Sequence, residues 1–162
     1  MGLCGQGDRS SGICAQEEGI MAIQTIDNVV LGGKKVFLRV DFNVPFDEWG
    51  NITDDTRVRA SVPTIKTLVE KNVALVIASH LGRPKGVESA LSLRPIARRL
   101  GQILKTDVKF VDDCVGPEVD RMKASLSPGE ILLLENVRFH PEETKNDESF
   151  AQKLASGLDA YV

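Results

Sequence analysis

The chain has 162 residues, 42% apolar and 27% charged, with a formal net charge of -3; that length builds one domain with a substantial core and is short for two. The mild acidity argues against nucleic acid as a partner, because phosphate backbones recruit strongly basic surfaces, and no apolar run approaches the roughly 18 residues that cross a membrane. The three cysteines, Cys4, Cys14 and Cys114, form no CxxC pair and are too sparse for a disulfide framework or a zinc site. No metal is therefore expected, and a reducing, cytoplasmic compartment is.

Residues 1–20 hold Gly, Ser, Gln and charged side chains without periodicity, and Met21 then opens Met-Ala-Ile-Gln-Thr-Ile like a second start. They lack the apolar stretch of a secretory signal, and Glu17-Glu18 is foreign to a transit peptide. Gln6 stands where myristoylation needs Ser or Thr. Gly5-Gln6-Gly7-Asp8-Arg9-Ser10 echoes a dinucleotide loop, without the preceding strand or the third glycine. Residues 1–20 read as a disordered or misassigned leader, and 21–162 as the domain.

From Lys34 onward strands and helices alternate. Lys35–Val44 is a strand in which Val36, Leu38, Val40, Phe42 and Val44 alternate with Phe37, Arg39, Asp41 and Asn43, so Asp41 and Asn43 share one face of its tip. Asp54-Asp55-Thr56 supplies cap chemistry for a helix running to Lys71, with Val58, Val62, Ile65 and Val69 at helical spacing. Pro63 inside that pattern predicts a kink. Val73–Ala78 is a second strand, and Val87–Ala90 belongs to a loop. Ser92 caps a second helix carrying Leu93, Ile96, Ala97, Leu100 and Leu104. Val108–Val111 is a short strand whose Lys109 points to an edge position. Gly116-Pro117-Glu118 begins a helix that turns Val119, Met122 and Leu126 inward, and Ile131–Val137 is the fourth strand. Asp147 opens a helix with Phe150, Leu154 and Leu158, stopped by Gly157. Asp159–Val162 reads as the next strand, cut off as it begins.

Continuous apolar strands separated by amphipathic helices specify an α/β fold: a Rossmann-like parallel sheet with helices on both faces. Such sheets bind ligands beyond the carboxyl ends of their strands. Three strand ends carry polar tips: Asp41-Phe42-Asn43, Ser79-His80-Leu81-Gly82-Arg83-Pro84-Lys85, and Glu135-Asn136-Val137-Arg138. Arg57, Arg83 and Arg138 bring the planar, permanently charged donors that suit phosphate and carboxylate groups, and Arg57 falls in a first helical turn where free N–H groups add to the attraction. His80 donates or carries charge near neutral pH, while Asp41 and Asn43 accept from and donate to a hydroxyl. Each has an ordinary reading as well: turn contacts before Pro45 for Asp41 and Asn43, a structural hydrogen bond for His80, a pair with Glu135 or Glu142 for Arg138. Arg59 keeps its ordinary reading as a solvated face residue. Taken together at one sheet edge, the others point to a small anionic ligand. A GxxxxGK[ST] loop and a strand-linked GxGxxG are both absent, so no nucleotide site is visible.

Arg39-Val40-Asp41-Phe42-Asn43-Val44-Pro45, Thr56-Arg57-Val58, Pro63-Thr64-Ile65, Ser79-His80-Leu81-Gly82-Arg83-Pro84, Asp113-Cys114-Val115-Gly116 and Glu135-Asn136-Val137-Arg138-Phe139 follow one another as in phosphoglycerate kinase. From about Met21 to Val162 the chain resembles the amino-terminal domain of that family, most specifically in RVDFNVP and SHLGRP. The resemblance implies an incomplete amino-terminal domain of a two-domain kinase, without the nucleotide-binding carboxyl-terminal domain or the NDAFGTAHR segment expected after Val162. It implies a glycolytic, monomeric parent enzyme that transfers a phosphoryl group between 1,3-bisphosphoglycerate and ADP, giving 3-phosphoglycerate and Mg-ATP. Asp41, Phe42, Asn43, Arg57, His80, Leu81, Gly82, Arg83 and Arg138 are the implied substrate-binding residues. Asp41 and Asn43, supported by His80, meet the glycerate end; Arg83 and Arg138 hold the phosphate that is not transferred; Arg57 is the catalytic residue at the transferred one. Metal, Mg-ATP/ADP and hinge closure belong to the half not represented, so the chain alone is expected to be inactive. The alternative is a free-standing, non-catalytic binding domain for a small phosphorylated carboxylate.

Overall fold

In the computed structural model, which describes residues 24–162, the apolar runs become strands of one parallel sheet. The leader expected at 1–20 lies outside the described residues. The strands are β1 (Lys35–Arg39), β2 (Ala74–Ala78), β3 (Val108–Val111), β4 (Ile131–Leu134) and β5 (Ala160–Tyr161), in the spatial order β3-β4-β2-β1-β5. Helices α1 (Thr56–Glu70), α2 (Arg94–Leu104), α3 (Pro117–Ser125), α4 (Pro141–Thr144) and α5 (Glu148–Ala155) lie between them.

Side-chain alternation divides the core into two layers. Val36, Leu38, Leu75, Ile77, Ile131 and Leu133 pack with Ile65 and Leu68 of α1 and with Ile96 and Leu100 of α2. On the other face Phe37, Val76, Ala78, Leu132 and Leu134 meet Val119 of α3 and Phe150 of α5. The helices therefore cover both faces of a Rossmann-like α/β sheet. Lys109 stands on an edge strand as expected, paired with Glu130 at 2.7 Å. Asp159–Val162 does supply a strand: β5 joins the sheet beside β1 through Val36–Ala160 and Phe37–Tyr161 pairs.

Several boundaries differ from the sequence pattern, each for a local reason. The strand expected over Lys35–Val44 ends at Arg39, because the Phe42 N–H turns to the Ser79 hydroxyl at 2.9 Å. The alternation continues past the ladder, leaving Phe42 and Val44 buried and Asp41 exposed. The strand expected over Ile131–Val137 ends at Leu134, and Val137–Phe139 forms a 3₁₀ turn begun by the Asn136 side chain, which accepts from Arg138 N–H at 3.1 Å. Ser89–Leu91, placed in or beside the predicted loop, forms another 3₁₀ turn. Ser92 sits one residue before the cap position of α2, taken by Leu93, yet its Oγ still accepts from Arg94 N–H at 3.2 Å. At the start of α1 the capping carboxylate is Asp54, which accepts from both the N–H and the hydroxyl of Thr56, while Asp55 pairs with Arg59 and Arg99. Helical structure is continuous through Pro63.

A buried polar joint fixes the loops beyond β2 and β4. Asn136, fully buried, accepts from Leu81 N–H at 3.2 Å and donates to the carbonyls of Leu81 at 2.8 Å and Leu91 at 2.9 Å. Glu135 accepts from the Ser92 hydroxyl at 2.6 Å, Leu93 N–H at 2.8 Å and Asn136 N–H at 2.7 Å. Removing one partner from such a joint leaves buried groups unsatisfied. Asn136→Ala is expected to destabilise the fold by about 3 kcal/mol, whereas Arg59→Ala, which removes an exposed arginine and leaves Asp55 paired with Arg99, stays within about 0.5 kcal/mol. Urea unfolding followed by circular dichroism measures both.

Candidate functional site

The loops following β1, β2 and β4 meet at the carboxyl edge of the sheet, and the start of α1 closes one side. Gly82 is the crossing point. Its N–H donates to Asn43 Oδ1 at 2.9 Å and its carbonyl accepts from Arg138 Nη1 at 2.9 Å, so residues from three strand ends converge on one peptide. Gly82 has φ +61°, and a Cβ there would lie 3.0 Å from the Leu91 side chain. A side chain is thus opposed by both backbone conformation and space.

Around this crossing the predicted cations and acceptors fall into two groups. Arg83 and Arg138 line one cavity of about 350 Å³ together with Pro84, Lys85, Gly86 and Thr144. Arg83 is exposed, and no hydrogen bond or ion pair engages its side chain among the described residues. Arg57 pairs instead with Asp41, both side chains 53% exposed, and the other Asp41 oxygen accepts from Asn43 N–H at 3.0 Å. His80 stands between the groups: burial first, then the Arg138 guanidinium, lower its pKa below the ordinary 6.5, while Asp41 opposes the shift. Phe42 and Leu81 turn their side chains into the core, and their N–H groups are taken by Ser79 and Asn136. They shape the loops from beneath.

The sequence pattern missed two charged members. Arg39 Nη2 donates to Glu143 Oε1 at 2.7 Å, and Glu143 Oε2 lies 3.6 Å from Arg138 Nε. Arg138 therefore faces Glu143, and neither Glu135, committed to the buried joint, nor Glu142. Arg39 was detectable, since it alternates onto the face of Asp41 and Asn43; Glu143, on a four-residue helix, left no periodic signal. A separate cavity of about 580 Å³ beside β5 includes Arg39, Glu143, Phe150 and Tyr161 but none of the predicted site residues.

One cluster has metal-ligand types: Asp113, Cys114 and His140, with ligand atoms within 4.8 Å of one another. Its groups are engaged with the protein. Asp113 Oδ1 accepts from Cys114 N–H at 2.6 Å and contacts His140 Nε2 at 2.7 Å. The Cys114 thiol donates to the Glu135 carbonyl, and burial pushes its pKa up.

The phosphoglycerate kinase family model matches residues 26–162. Among similar proteins, the cytosolic phosphoglycerate kinase of Triticum aestivum is 54% identical over 141 residues, covering 87% of this chain and 35% of that protein. The phosphoglycerate kinase of Anaeromyxobacter dehalogenans (strain 2CP-1) is 52% identical over 145 residues, covering 88% of this chain and 37% of that protein. The solved structure of phosphoglycerate kinase from Coxiella burnetii superposes with a TM-score of 0.73 at 36% identity, covering 83% of this chain and 33% of its own. That from Pyrococcus horikoshii gives 0.75 at 32%, covering 83% and 35%. This chain thus spans little more than a third of the length of the curated relatives it matches.

The lowered His80 pKa has a sign that can be measured. Folding disfavours the imidazolium, so its contribution to stability is present above pH 6.5 and is lost as pH falls from 6.5 through the lowered folded value. A phosphate monoester bound beside Arg138 would oppose that shift by stabilising the imidazolium. Proton NMR of the imidazole C–H groups is expected to give a midpoint below 6.5 in the free chain and a higher one with ligand; a midpoint unmoved by ligand would remove His80 from the site.

Proposed function

The chain belongs to the phosphoglycerate kinase family, and from that premise we propose that it supplies the 3-phosphoglycerate side of a phosphoryl-transfer site. The observation that carries the reading is the cavity shared by Arg83 and Arg138, beside the Asn43–Gly82 contact and His80. A phosphate monoester carries roughly 1.5 to 2 negative charges at neutral pH, and two guanidiniums at a solvent-accessible cavity supply matching charge with directional donors. Arg83 and Arg138 take the phosphate that does not react. Asp41, Asn43 and His80 meet the glycerate hydroxyl and carboxylate, and Arg57 faces the group in transfer. Phe42, Leu81 and Gly82 hold the backbone of this surface.

In the reaction a 3-phosphoglycerate carboxylate oxygen attacks the γ-phosphorus of ATP, and the bond to ADP breaks; the reverse reaction makes ATP. Positioning and charge stabilisation dominate such transfers. Arg57 suits the second task, since its present partner Asp41 is exposed and the pair is easily exchanged for a developing negative charge. Mg-ATP and Mg-ADP would bind residues of the relatives that this chain does not span. The reading of a free-standing binding domain draws no support from these relatives, which are named as kinases. Among the described residues no helix is long and apolar enough to cross a membrane. The likeness to the cytosolic enzyme of Triticum aestivum supports a cytoplasmic location for this chain.

A protein of these 162 residues is expected to bind 3-phosphoglycerate and give no sustained turnover with MgATP. Calorimetric titration should find affinity that falls with salt and drops about 10-fold in Arg138→Ala, with Arg59→Ala unchanged; affinity indifferent to both salt and Arg138 would refute the site.

In a full-length enzyme carrying this domain, Arg57→Ala should lower kcat by about 10³-fold with a smaller change in KM. Arg83→Ala should act mainly on KM, because its contact is to the unreactive phosphate. Steady-state kinetics separates the two, and an Arg57 variant with intact kcat would reduce that arginine to a binding residue.

A further inference from the structure

Arg138 has three functional nitrogens, and the structure accounts for them unequally. Nη1 donates to the Gly82 carbonyl at 2.9 Å. Nε is buried without a hydrogen-bond partner, 3.6 Å from Glu143 Oε2. Nη2 makes no hydrogen bond among the described residues and is not among the buried, unpartnered atoms, so it is available to a ligand in the cavity this side chain lines. The guanidinium is planar, so fixing the Nε edge and Nη1 fixes the direction of Nη2.

Glu143 is placed to do that fixing. Its side chain is only 17% exposed, and its other oxygen is held by Arg39 Nη2 at 2.7 Å. Arg39 ends β1, Glu143 lies on α4, and Arg138 lies in the turn after β4. The carboxylate thus joins the ends of two strands through two arginines, with one oxygen directed to each.

We infer that Glu143 is a positioning residue of the anion site, setting the guanidinium plane of Arg138 so that Nη2 meets the ligand phosphate. This rests on the reading that Arg83 and Arg138 bind that phosphate. Electrostatics and positioning predict opposite signs here. A carboxylate beside an anion site repels the ligand, so neutralising it would tighten binding if charge were its whole effect. If the carboxylate orients Arg138, losing it weakens binding.

The experiment titrates the full chain with 3-phosphoglycerate, followed by ¹⁵N NMR that includes the arginine Nε–H signals. Wild type should bind saturably, and the Arg138 Nε–H signal should be protected from exchange before ligand is added. Glu143→Gln, which keeps shape and removes charge, should weaken binding about 10-fold and expose that signal. Glu143→Asp, which keeps charge and withdraws it by one methylene, should weaken binding in the same direction. The amide spectrum checks the fold of each variant, and if one variant does not fold the other decides. Tighter or unchanged binding in the folded variants, with Arg138→Ala still defective, would overturn the positioning role and leave the phosphate site standing. An absence of saturable binding in wild type would overturn the site reading itself and, with it, the role of Glu143 there.

Discussion

Asn136 occupies a position where a charge would be costly and an apolar side chain would leave several peptides without partners. It is fully buried at the carboxyl end of β4, where the loops from β2 and from the Ser89–Leu91 turn pass over the sheet. Those loops bring N–H and carbonyl groups out of water, and one amide side chain answers three of them together with the Arg138 N–H of its own turn. A neutral donor-and-acceptor group suits the task, because burial of an unpaired ion costs much more. The side chain of Glu135 next to it is also buried, its oxygens met by three donors, none of them a cation. Gly82 and Arg138, central to the proposed anion site, are both tied to this joint: Gly82 follows Leu81, which the joint holds, and the Arg138 N–H is itself bound by the Asn136 side chain. A strand end with side chains that bond outward to its neighbours therefore converts sheet order into loop order.

The legible and illegible parts of this molecule divide along local and non-local physics. Where an apolar run stops at a polar residue, the chain leaves the core, so the ends of β1, β2 and β4 were visible to within a few residues. The errors occurred where a side chain competes for the backbone: Ser79 drawing off Phe42 N–H, and Asn136 starting a 3₁₀ turn in place of more strand. Strand order was invisible because pairing joins residues far apart in sequence, as in the contact of Val36 with Ala160. Among the residues of the proposed site, Asp41, Asn43, Arg57, His80, Arg83 and Arg138 are legible as polar groups at strand ends or a helix start. Motif reading named Phe42 and Leu81 beside them, and the core position of both side chains explains their company: a loop that presents Asp41 or His80 outward needs a neighbour turned inward. Glu143 leaves no trace in the sequence because its contact is with Arg39 of β1, 104 residues away.

The two arginine environments in the proposed site differ in stiffness, and that difference bears on their roles. Arg138 is only 28% exposed, bonded to a carbonyl on one side and faced by a carboxylate on the other. Immobilising a long side chain costs conformational entropy, of order 2 kcal/mol for arginine, and here folding has already met that cost before a ligand arrives. Such a group favours binding of whatever geometry it is set for. Arg57 is half exposed, in an ion pair with an equally exposed Asp41, of a kind typically worth about 0–1 kcal/mol. It can leave that partner for a better one at little expense. A group that moves to meet charge only as it develops lowers a barrier without deepening the ground-state well. Fixed donors on the unreactive phosphate and a loosely held donor near the reactive end thus match the division between binding and rate that the proposed function assigns to them.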